Sequence, residues 1–239
     1  MKLKNIVFNF ISNTVYYLIG WPILTFINKI FLGYKIIGKE NLRKVQGGKV
    51  TISNHMHYLD CTMNGLMNFP NFVHFVTLES NFKIPVAGFL IKLLKAIPIP
   101  TDKSKKKHFY EYVSELLQEG ETVHIYPEGE LKLYNQNLMD FKKGAFVFAV
   151  ENNVPVVPTV FVTTKPEGIY KYYKKKPVIS QIILEPIYPD LSIPNKLDRI
   201  ENMKKIAYTK MKHHIENPNI LEEEETIGIW GRSLKPLFN

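Results

Sequence analysis

The chain has 239 residues, 45% of them hydrophobic, so it can bury a full core as one domain with an appendage. Its formal net charge of +9 is carried mostly by lysine, since arginine occurs only at Arg43, Arg199 and Arg232. Because arginine is the main reader of guanine, this balance argues against nucleic acid and favours acidic membranes as partners. The single cysteine excludes an internal disulfide framework and fits a reducing compartment.

The first predicted element is an uncharged run between Lys4 and Lys29. Gly20-Trp21-Pro22 interrupts its middle, and each half, at about 20 Å of helix, is shorter than the ~30 Å hydrocarbon core of a bilayer. We therefore predict two short helices, 5–19 and 22–32, that lie in or dip into one leaflet. A pair of buried helices in a soluble protein is the alternative.

Lysines flank both ends of this run, so the positive-inside rule assigns neither end to the outside. The prediction is a membrane-associated segment, 1–32, followed by a domain of residues 33–239. The protein would be peripheral or monotopic at the cytoplasmic face of the cell membrane. A signal peptide fits less well, because the run is interrupted by polar residues and lacks a small-residue cleavage site.

Short apolar runs alternate with amphipathic stretches over the rest of the chain. Strands are predicted at residues 49–54, 72–78, 121–127, 154–162 and 178–187. Helices are predicted at residues 61–68, 108–120, 143–153 and 199–217. This alternation predicts an α/β fold with a mixed, largely parallel sheet covered by helices.

Three charged runs remain. The basic runs 103–107 and 171–176 are predicted to be solvated faces, with membrane contact as the alternative. The acidic run 222–225 is predicted to be a solvated tail segment.

Candidate chemistry is concentrated in 53-SNHMHYLDC-61, directly after a predicted strand. On a continuous helix His55 and Asp60 would diverge by roughly 140°. They can meet only if His55 ends the strand and Asp60 lies in the following turn or first helical turn. Sites in open α/β sheets form at such carboxyl ends. An aspartate bonded to one imidazole nitrogen would fix the tautomer and make the other nitrogen more basic.

Other readings of this cluster are weaker. There is no G-x-S-x-G elbow, and nothing activates Cys61, so a serine or cysteine hydrolase would lack its nucleophile. A zinc site could use His55, His57 and Asp60, but no further ligands have the expected spacing, and we predict no metal. The remaining option is a histidine that activates a substrate hydroxyl directly.

A second motif, Tyr126-Pro127-Glu128-Gly129, follows the predicted strand 121–127 and could face the same crevice. Such a turn puts a carboxylate beside backbone amides and can hold a polyol or an anionic head group. An ordinary turn is the alternative.

Four blocks in this order resemble the glycerolipid acyltransferase family, which contains the 1-acylglycerol-3-phosphate acyltransferases. Asn54-His55-x4-Asp60 is similar to the N-H-x4-D block of the family, and 126–129 is similar to its F-P-E-G block. Residues 143–145 resemble its K-x-G segment, and 154–158 resemble its V-P-I-V-P strand. The likeness covers roughly residues 34 to 187.

This resemblance implies that His55 is the general base and Asp60 its orienting partner. It also implies that Glu128 and Gly129, with Pro127 and Asn54, belong to the acceptor-binding set. The acyl donor would be a thioester of CoA or of acyl carrier protein, attacked without an acyl-enzyme and with no cofactor. The acceptor would be a lysolipid, in the first place 1-acylglycerol 3-phosphate, which is converted to phosphatidate in phospholipid synthesis.

The chain departs from the family where two arginines are usually read as phosphate binders. Ungapped alignment puts Thr101 and Leu131 at those positions, whereas a two-residue insertion would instead align Asp102-Lys103 with the family's Asp-Arg pair. Lysines nearby could act as point charges without the bidentate geometry of arginine. These are Lys103, Lys132, Lys142 and Lys143. Another lysolipid acceptor, or a catalytically silent lipid-binding module on the same fold, therefore remains an alternative.

Overall fold

The computed structural model describes residues 10, 13, 14, 16–85 and 87–217. The acidic run 222–225 lies outside the described residues, as does part of the predicted helix 5–19.

Seven strands form one sheet. They are β1 (Lys35–Ile37), β2 (Lys49–Ser53), β3 (Val73–Leu78), β4 (Ile97–Ile99), β5 (Thr122–Ile125), β6 (Val156–Thr164) and β7 (Val178–Ile183). Their spatial order is β1-β7-β6-β2-β5-β3-β4, with β6 and β7 antiparallel and every other neighbouring pair parallel. This confirms the predicted mixed, largely parallel sheet. Strands β1 and β4 were not predicted, because three residues are too few to show a period.

Helices cover the sheet. They are α1 (Trp21–Ile27), α2 (Lys39–Arg43), α3 (Asp60–Asn68), α4 (Ala87–Leu93), α5 (Lys106–Gln118), α6 (Gly144–Glu151) and α7 (Lys196–Glu216). The four helices predicted after residue 60 correspond to α3, α5, α6 and α7, with ends that differ by at most three residues. The short α2 and α4 were not predicted.

Both faces of the sheet are buried, as β6 illustrates. Val156, Val160 and Val162 belong to one core, which includes side chains of α5, α6 and α7. Val157 and Phe161 point the opposite way, into two clusters that include side chains of α1, α2 and α3. Because side chains alternate along a strand, a strand buried on both faces has an unbroken apolar sequence.

The N-terminal helical segment, residues 16–32, corrects one prediction. It is α1 flanked by two π-helical stretches, Tyr16–Gly20 and Asn28–Leu32, and it ends at Gly33. The predicted break is absent, since Gly20 has right-handed helical angles and Pro22 lies in the first turn of α1. There the missing amide hydrogen of proline costs little. Across the described part of the chain, no helix has the length and apolar character needed to cross a membrane.

This segment packs antiparallel to α3. Asn28 is fully buried, and its Nδ2 donates to Thr62 Oγ1 near the start of α3 at 3.0 Å. At the other end Trp21 stacks on Phe69, just after α3, with ring centroids 4.2 Å apart. The opposite face of the segment exposes large apolar side chains. They are Leu18, Ile19, Ile23, Phe26, Ile30 and Phe31.

Candidate active site

The sheet brings the two motifs together. Strands β2 and β5 are parallel neighbours with Ile52 paired to Ile125, so both end at the same edge. Extending that register by three residues sets His55 opposite Glu128. The backbone N–H of His55 indeed donates to Glu128 Oε2 at 3.2 Å. The chain therefore forms one site from two loops at the carboxyl edge of the sheet.

His55 and Asp60 form the predicted pair. His55 Nδ1 lies 2.9 Å from Asp60 Oδ2, which also accepts the backbone N–H groups of Met56 at 2.7 Å and His57 at 2.9 Å. Asp60 is fully buried in the first turn of α3, where the helix N-terminus favours a carboxylate. With two amides and the imidazole converging on one oxygen, Nδ1 carries the hydrogen. The lone pair is therefore on Nε2 of a side chain that is 24% exposed.

The other histidine of the cluster has a different arrangement. The backbone N–H of Leu59 donates to His57 Nδ1 at 3.1 Å, which closes the loop between β2 and α3. Cys61 is exposed. Within the part of the chain that the structure describes, no group of three or more His, Cys, Asp or Glu side chains is placed to hold a metal ion.

One face of the His55 ring is covered by Tyr126. The ring centroids are 4.0 Å apart and the planes differ by 19°. The Asn64 side chain on α3 donates to the Tyr126 hydroxyl, with Nδ2 and Oη 3.1 Å apart. Burial raises the pKa of Tyr126 well above its ordinary value, so the phenol is neutral. Sequence reasoning treated Tyr126 as part of a motif and missed this stacking.

A buried polar layer lies beneath the site. The fully buried His124 is held by Thr51 Oγ1 at Nδ1 and by Asn64 Nδ2 at Nε2, at 2.9 and 3.1 Å. Asn64 Oδ1 accepts in turn from Gln181 Nε2 at 2.6 Å. Burial lowers the pKa of His124 to about 3, which keeps the ring neutral. Alternating polar residues within apolar strands were the signal that could have revealed this layer.

The Glu128 carboxylate accepts hydrogen bonds from two backbone amides. Only 7% exposed, it accepts the N–H of His55 at Oε2 and the N–H of Met139 at Oε1, both at 3.2 Å. Burial raises the pKa of this carboxyl group. Both of its oxygens thus connect two loops of the protein. The Pro127 carbonyl also connects two loops, because it accepts the Lys142 N–H at 2.8 Å.

Asn54 is bonded to the backbone of β6. Its Nδ2 donates to the Phe161 carbonyl at 3.0 Å, and its Oδ1 accepts the Phe161 N–H at 2.7 Å. The side chain is buried and both amide atoms pair with the backbone of β6. Asn54 therefore anchors the loop that carries His55.

The structure separates the candidate lysines. Lys132 donates its backbone N–H to the His55 carbonyl at 3.1 Å, and its side chain is exposed beside the site. Lys142 lies against exposed Gly129. Lys103 is exposed in a 3-10 turn after β4. The Lys143 ammonium pairs with Glu201 of α7 at 2.5 Å.

In the ungapped alignment, neither arginine position carries a positive charge. Thr101 donates its hydroxyl and its backbone N–H to Glu79 Oε2, at 2.7 and 3.1 Å. Leu131 is half-buried. Among the described residues, therefore, lysine supplies the cations of the two motif loops.

A cavity of about 540 Å³ lies at the opposite edge of the sheet. Its lining includes Lys49 and Thr122, the first residues of β2 and β5, together with Lys95 and Glu121. Those strands run away from it toward His55, so this cavity is not part of the candidate active site.

Comparison with known proteins gives consistent results. The family model described as Acyltransferase matches residues 33–162. The chain is 31% identical over 160 residues to the chloroplastic 1-acyl-sn-glycerol-3-phosphate acyltransferase BAT2 of Brassica napus, covering 64% of this chain and 44% of that protein. It is 33% identical over 150 residues to the human 1-acyl-sn-glycerol-3-phosphate acyltransferase beta, covering 60% and 51%. The chain thus spans about half the length, or less, of these curated relatives.

A solved structure shares the fold. The crystal structure of the 1-acyl-sn-glycerophosphate (LPA) acyltransferase from Thermotoga maritima aligns with a TM-score of 0.57 at 20% identity. The alignment covers 92% of this chain and 98% of that one.

Proposed function

The chain belongs to the acyltransferase family, and from that premise we propose that it moves a fatty acyl group from a thioester donor to a lysolipid hydroxyl. The preferred acceptor in this proposal is 1-acylglycerol 3-phosphate, and the product is phosphatidate. The donor is a thioester of CoA or of acyl carrier protein, used as co-substrate without a further cofactor. The observation that carries the proposal is the His55–Asp60 pair with its free Nε2 at the sheet edge.

In the proposed reaction, His55 Nε2 takes the proton of the acceptor hydroxyl while that oxygen attacks the thioester carbonyl carbon. The tetrahedral intermediate collapses, the C–S bond breaks and a new ester remains. The imidazolium returns its proton to the departing thiolate, so the enzyme ends as it began. General base catalysis of this kind contributes about 10²–10⁴ to a rate. Positioning of the two substrates supplies most of the rest.

Asp60 and Glu128 support His55 in different ways. Asp60 holds the imidazole in the tautomer that leaves Nε2 unprotonated, and its charge stabilises the imidazolium that forms. Glu128 binds the backbone of His55 and sets the distance between the two loops. We assign Glu128 to positioning, with Gly129 and the neighbouring lysines left to meet the acceptor.

The phosphate of the acceptor is proposed to contact the exposed Lys132 and the Lys142 ammonium beside Gly129. Lys103 is a third candidate, and it lies in the turn that follows the outermost strand, β4. Ammonium groups act as point charges, without the paired hydrogen bonds that arginine offers.

A different lysolipid acceptor is the second candidate. It is favoured by one contact, that between Thr101 and the exposed carboxylate Glu79. An acidic side chain held at the family arginine position would repel a phosphate monoester more than a zwitterionic head group.

The segment 1–32 is proposed to associate with the cytoplasmic face of the cell membrane. Support comes from the exposed apolar face of residues 16–32 and from a loop packed on its end. Tyr170 and Tyr173 donate their hydroxyls to the carbonyls of Lys29 and Ile30, at 3.1 and 3.2 Å. The same loop exposes Ile169 and Tyr172 beside a run of lysines. Apolar and basic groups side by side suit an anionic lipid surface.

The proposal is tested with purified full-length protein, acyl-CoA or acyl carrier protein thioester, and a panel of lysolipids. Thioester consumption should require a lysolipid and should fall by roughly 10²–10⁴ in His55→Ala. A preference for 1-acylglycerol 3-phosphate supports the first acceptor, and a preference for another lysolipid supports the second. Lipid binding without turnover for any acceptor would refute the enzyme and leave a silent binding module.

A further inference from the structure

The imidazole of His55 is contacted on one face by an aromatic ring and at one edge by a carboxylate. Tyr126 covers one face of the imidazole at 4.0 Å, while Asp60 holds its Nδ1 edge. The Tyr126 hydroxyl accepts a hydrogen bond from Asn64 Nδ2 at 3.1 Å. The Tyr126 ring also packs against the ring of the buried His124, with ring centroids 4.6 Å apart and an angle of 74° between the ring planes. Tyr126 is therefore locked in place on three sides.

An aromatic face carries partial negative charge, so it attracts a cation placed over it. Neutral imidazole gains little from this field, but imidazolium gains considerably more. During the proposed reaction His55 becomes imidazolium at the step in which the hydroxyl proton is removed. A contact stronger in that state than in the resting state lowers the barrier itself.

Other ionisable groups also face His55 from the elements around it. Asp60 comes from α3, Glu128 from the loop after β5, and His124 from β5 itself. The two carboxyl groups favour the imidazolium, while His124 is neutral. The contribution of Tyr126 must therefore be measured with these three groups unchanged.

We propose that Tyr126 is a positioning residue whose ring face stabilises the protonated form of His55, with the buried His124 packed against that ring. The role in turnover rests on the proposed function. The effect on His55 protonation does not, because it exists in the protein without substrate.

The test weakens the partial negative charge on the face of the ring at position 126 and keeps the shape of the ring nearly the same. Position 126 is replaced by phenylalanine and then by mono-, di- and trifluorinated phenylalanine, introduced site-specifically into the full-length protein. Histidine is labelled with ¹³C at Cε1, and the His55 signal is identified by its loss in His55→Ala. Its pH midpoint is followed by NMR in detergent micelles, and acyl transfer is measured as kcat and KM on the same samples.

Tyr126→Phe is the matched control, since it keeps the ring face and loses only the hydroxyl bond to Asn64. We expect its midpoint to stay close to that of the parent protein. Along the fluorinated series the midpoint should fall stepwise, by roughly half to one pH unit overall. The value of kcat should fall with it, while the KM values stay constant.

Two results would overturn the inference. One is a midpoint that stays constant along the fluorinated series, which would leave Tyr126 as a packing residue. The other is a shift in Tyr126→Phe as large as in the trifluorinated protein, which would assign the effect to the hydroxyl. If the stepwise shift appears but no lysolipid is acylated, the proposed function fails while the inference stands.

Discussion

The Lys142 ammonium lies against the backbone of Gly129, where an added Cβ would come within 2.4 Å of the nitrogen. Gly129 has φ of +67°, a left-handed conformation that costs other residues roughly 1–2 kcal/mol. Gly129→Ala should therefore strain the loop and displace Lys142. Because Lys142 is a proposed phosphate contact, the acceptor KM should rise several-fold while the donor KM stays constant.

Gly144→Ala is the matched control for this change. Gly144 begins α6, and an added Cβ there meets nothing within 4 Å. Its unfolding free energy should stay the same or rise by up to about 1 kcal/mol. An unchanged acceptor KM in Gly129→Ala would remove Lys142 from the binding site. Steady-state kinetics and urea unfolding provide both measurements.

The variant Asp60→Asn tests whether Asp60 holds the His55 imidazole in one tautomer and stabilises its protonated form. The neutral amide stabilises the imidazolium less than a carboxylate does. Its oxygen at the place of Oδ2 would keep all three contacts, whereas its nitrogen there would donate to Nδ1 and lose the N–H groups of Met56 and His57. We expect kcat to fall by roughly 100-fold or more with little change in KM. Asp198→Asn removes an exposed aspartate from the first turn of α7 and should keep kcat within about twofold. Equal kcat values for both variants would contradict the assigned role.

Acid should destabilise the fold through His124. Burial lowers its pKa from 6.5 to about 3, so between these values the unfolded chain binds a proton that the folded protein does not. The stability from this group is fully present above pH 6.5 and is lost as the pH falls toward 3. The free energy of unfolding should decrease by up to about 1.4 kcal/mol per pH unit in that window.

His124→Gln should lower stability at pH 7 but reduce the steepness of this pH dependence. His108→Gln, at an exposed position, should keep the full slope. Urea unfolding from pH 7 down to pH 4 measures both slopes. An identical slope in all three proteins would show that His124 is protonated in the folded state.

The basic loop should contribute to binding of anionic membranes. Lys171, Lys175 and Lys176 are exposed beside the tyrosines that hold the end of residues 16–32. Changing all three to glutamine should weaken binding to mixed phosphatidylcholine–phosphatidylglycerol vesicles by on the order of 100-fold, since each lysine near such a surface contributes about 1 kcal/mol. Binding to phosphatidylcholine alone should change little.

A second basic run supplies the control for the vesicle experiment. Lys105, Lys106 and Lys107 are also exposed, and their change to glutamine removes the same charge. Vesicle sedimentation should show a much smaller loss for this triple variant. Equal losses would mean that net charge, and not the loop, governs membrane binding.

Sequence patterns predicted the strands that carry the site because each is a short apolar run bounded by turn residues. The contact between His55 and Asp60 followed from the requirement that a strand end at one and a helix begin at the other. The stacking of Tyr126 could not be predicted, since it depends on the register between β2 and β5 and on Asn64 reaching across from α3. Lys142 and Lys143 are adjacent in sequence, and only tertiary packing distinguishes them.

Asn28 and Thr62 join the N-terminal helical segment to α3 only two residues beyond Asp60. The outward apolar face of that segment and the loop that carries His55 are therefore both packed against α3. If this apolar face contacts the bilayer as proposed, side-chain packing, and not the lipid, sets the distance of His55 from the membrane surface. An acceptor hydroxyl would then react only when its own distance from the membrane surface matches that of His55.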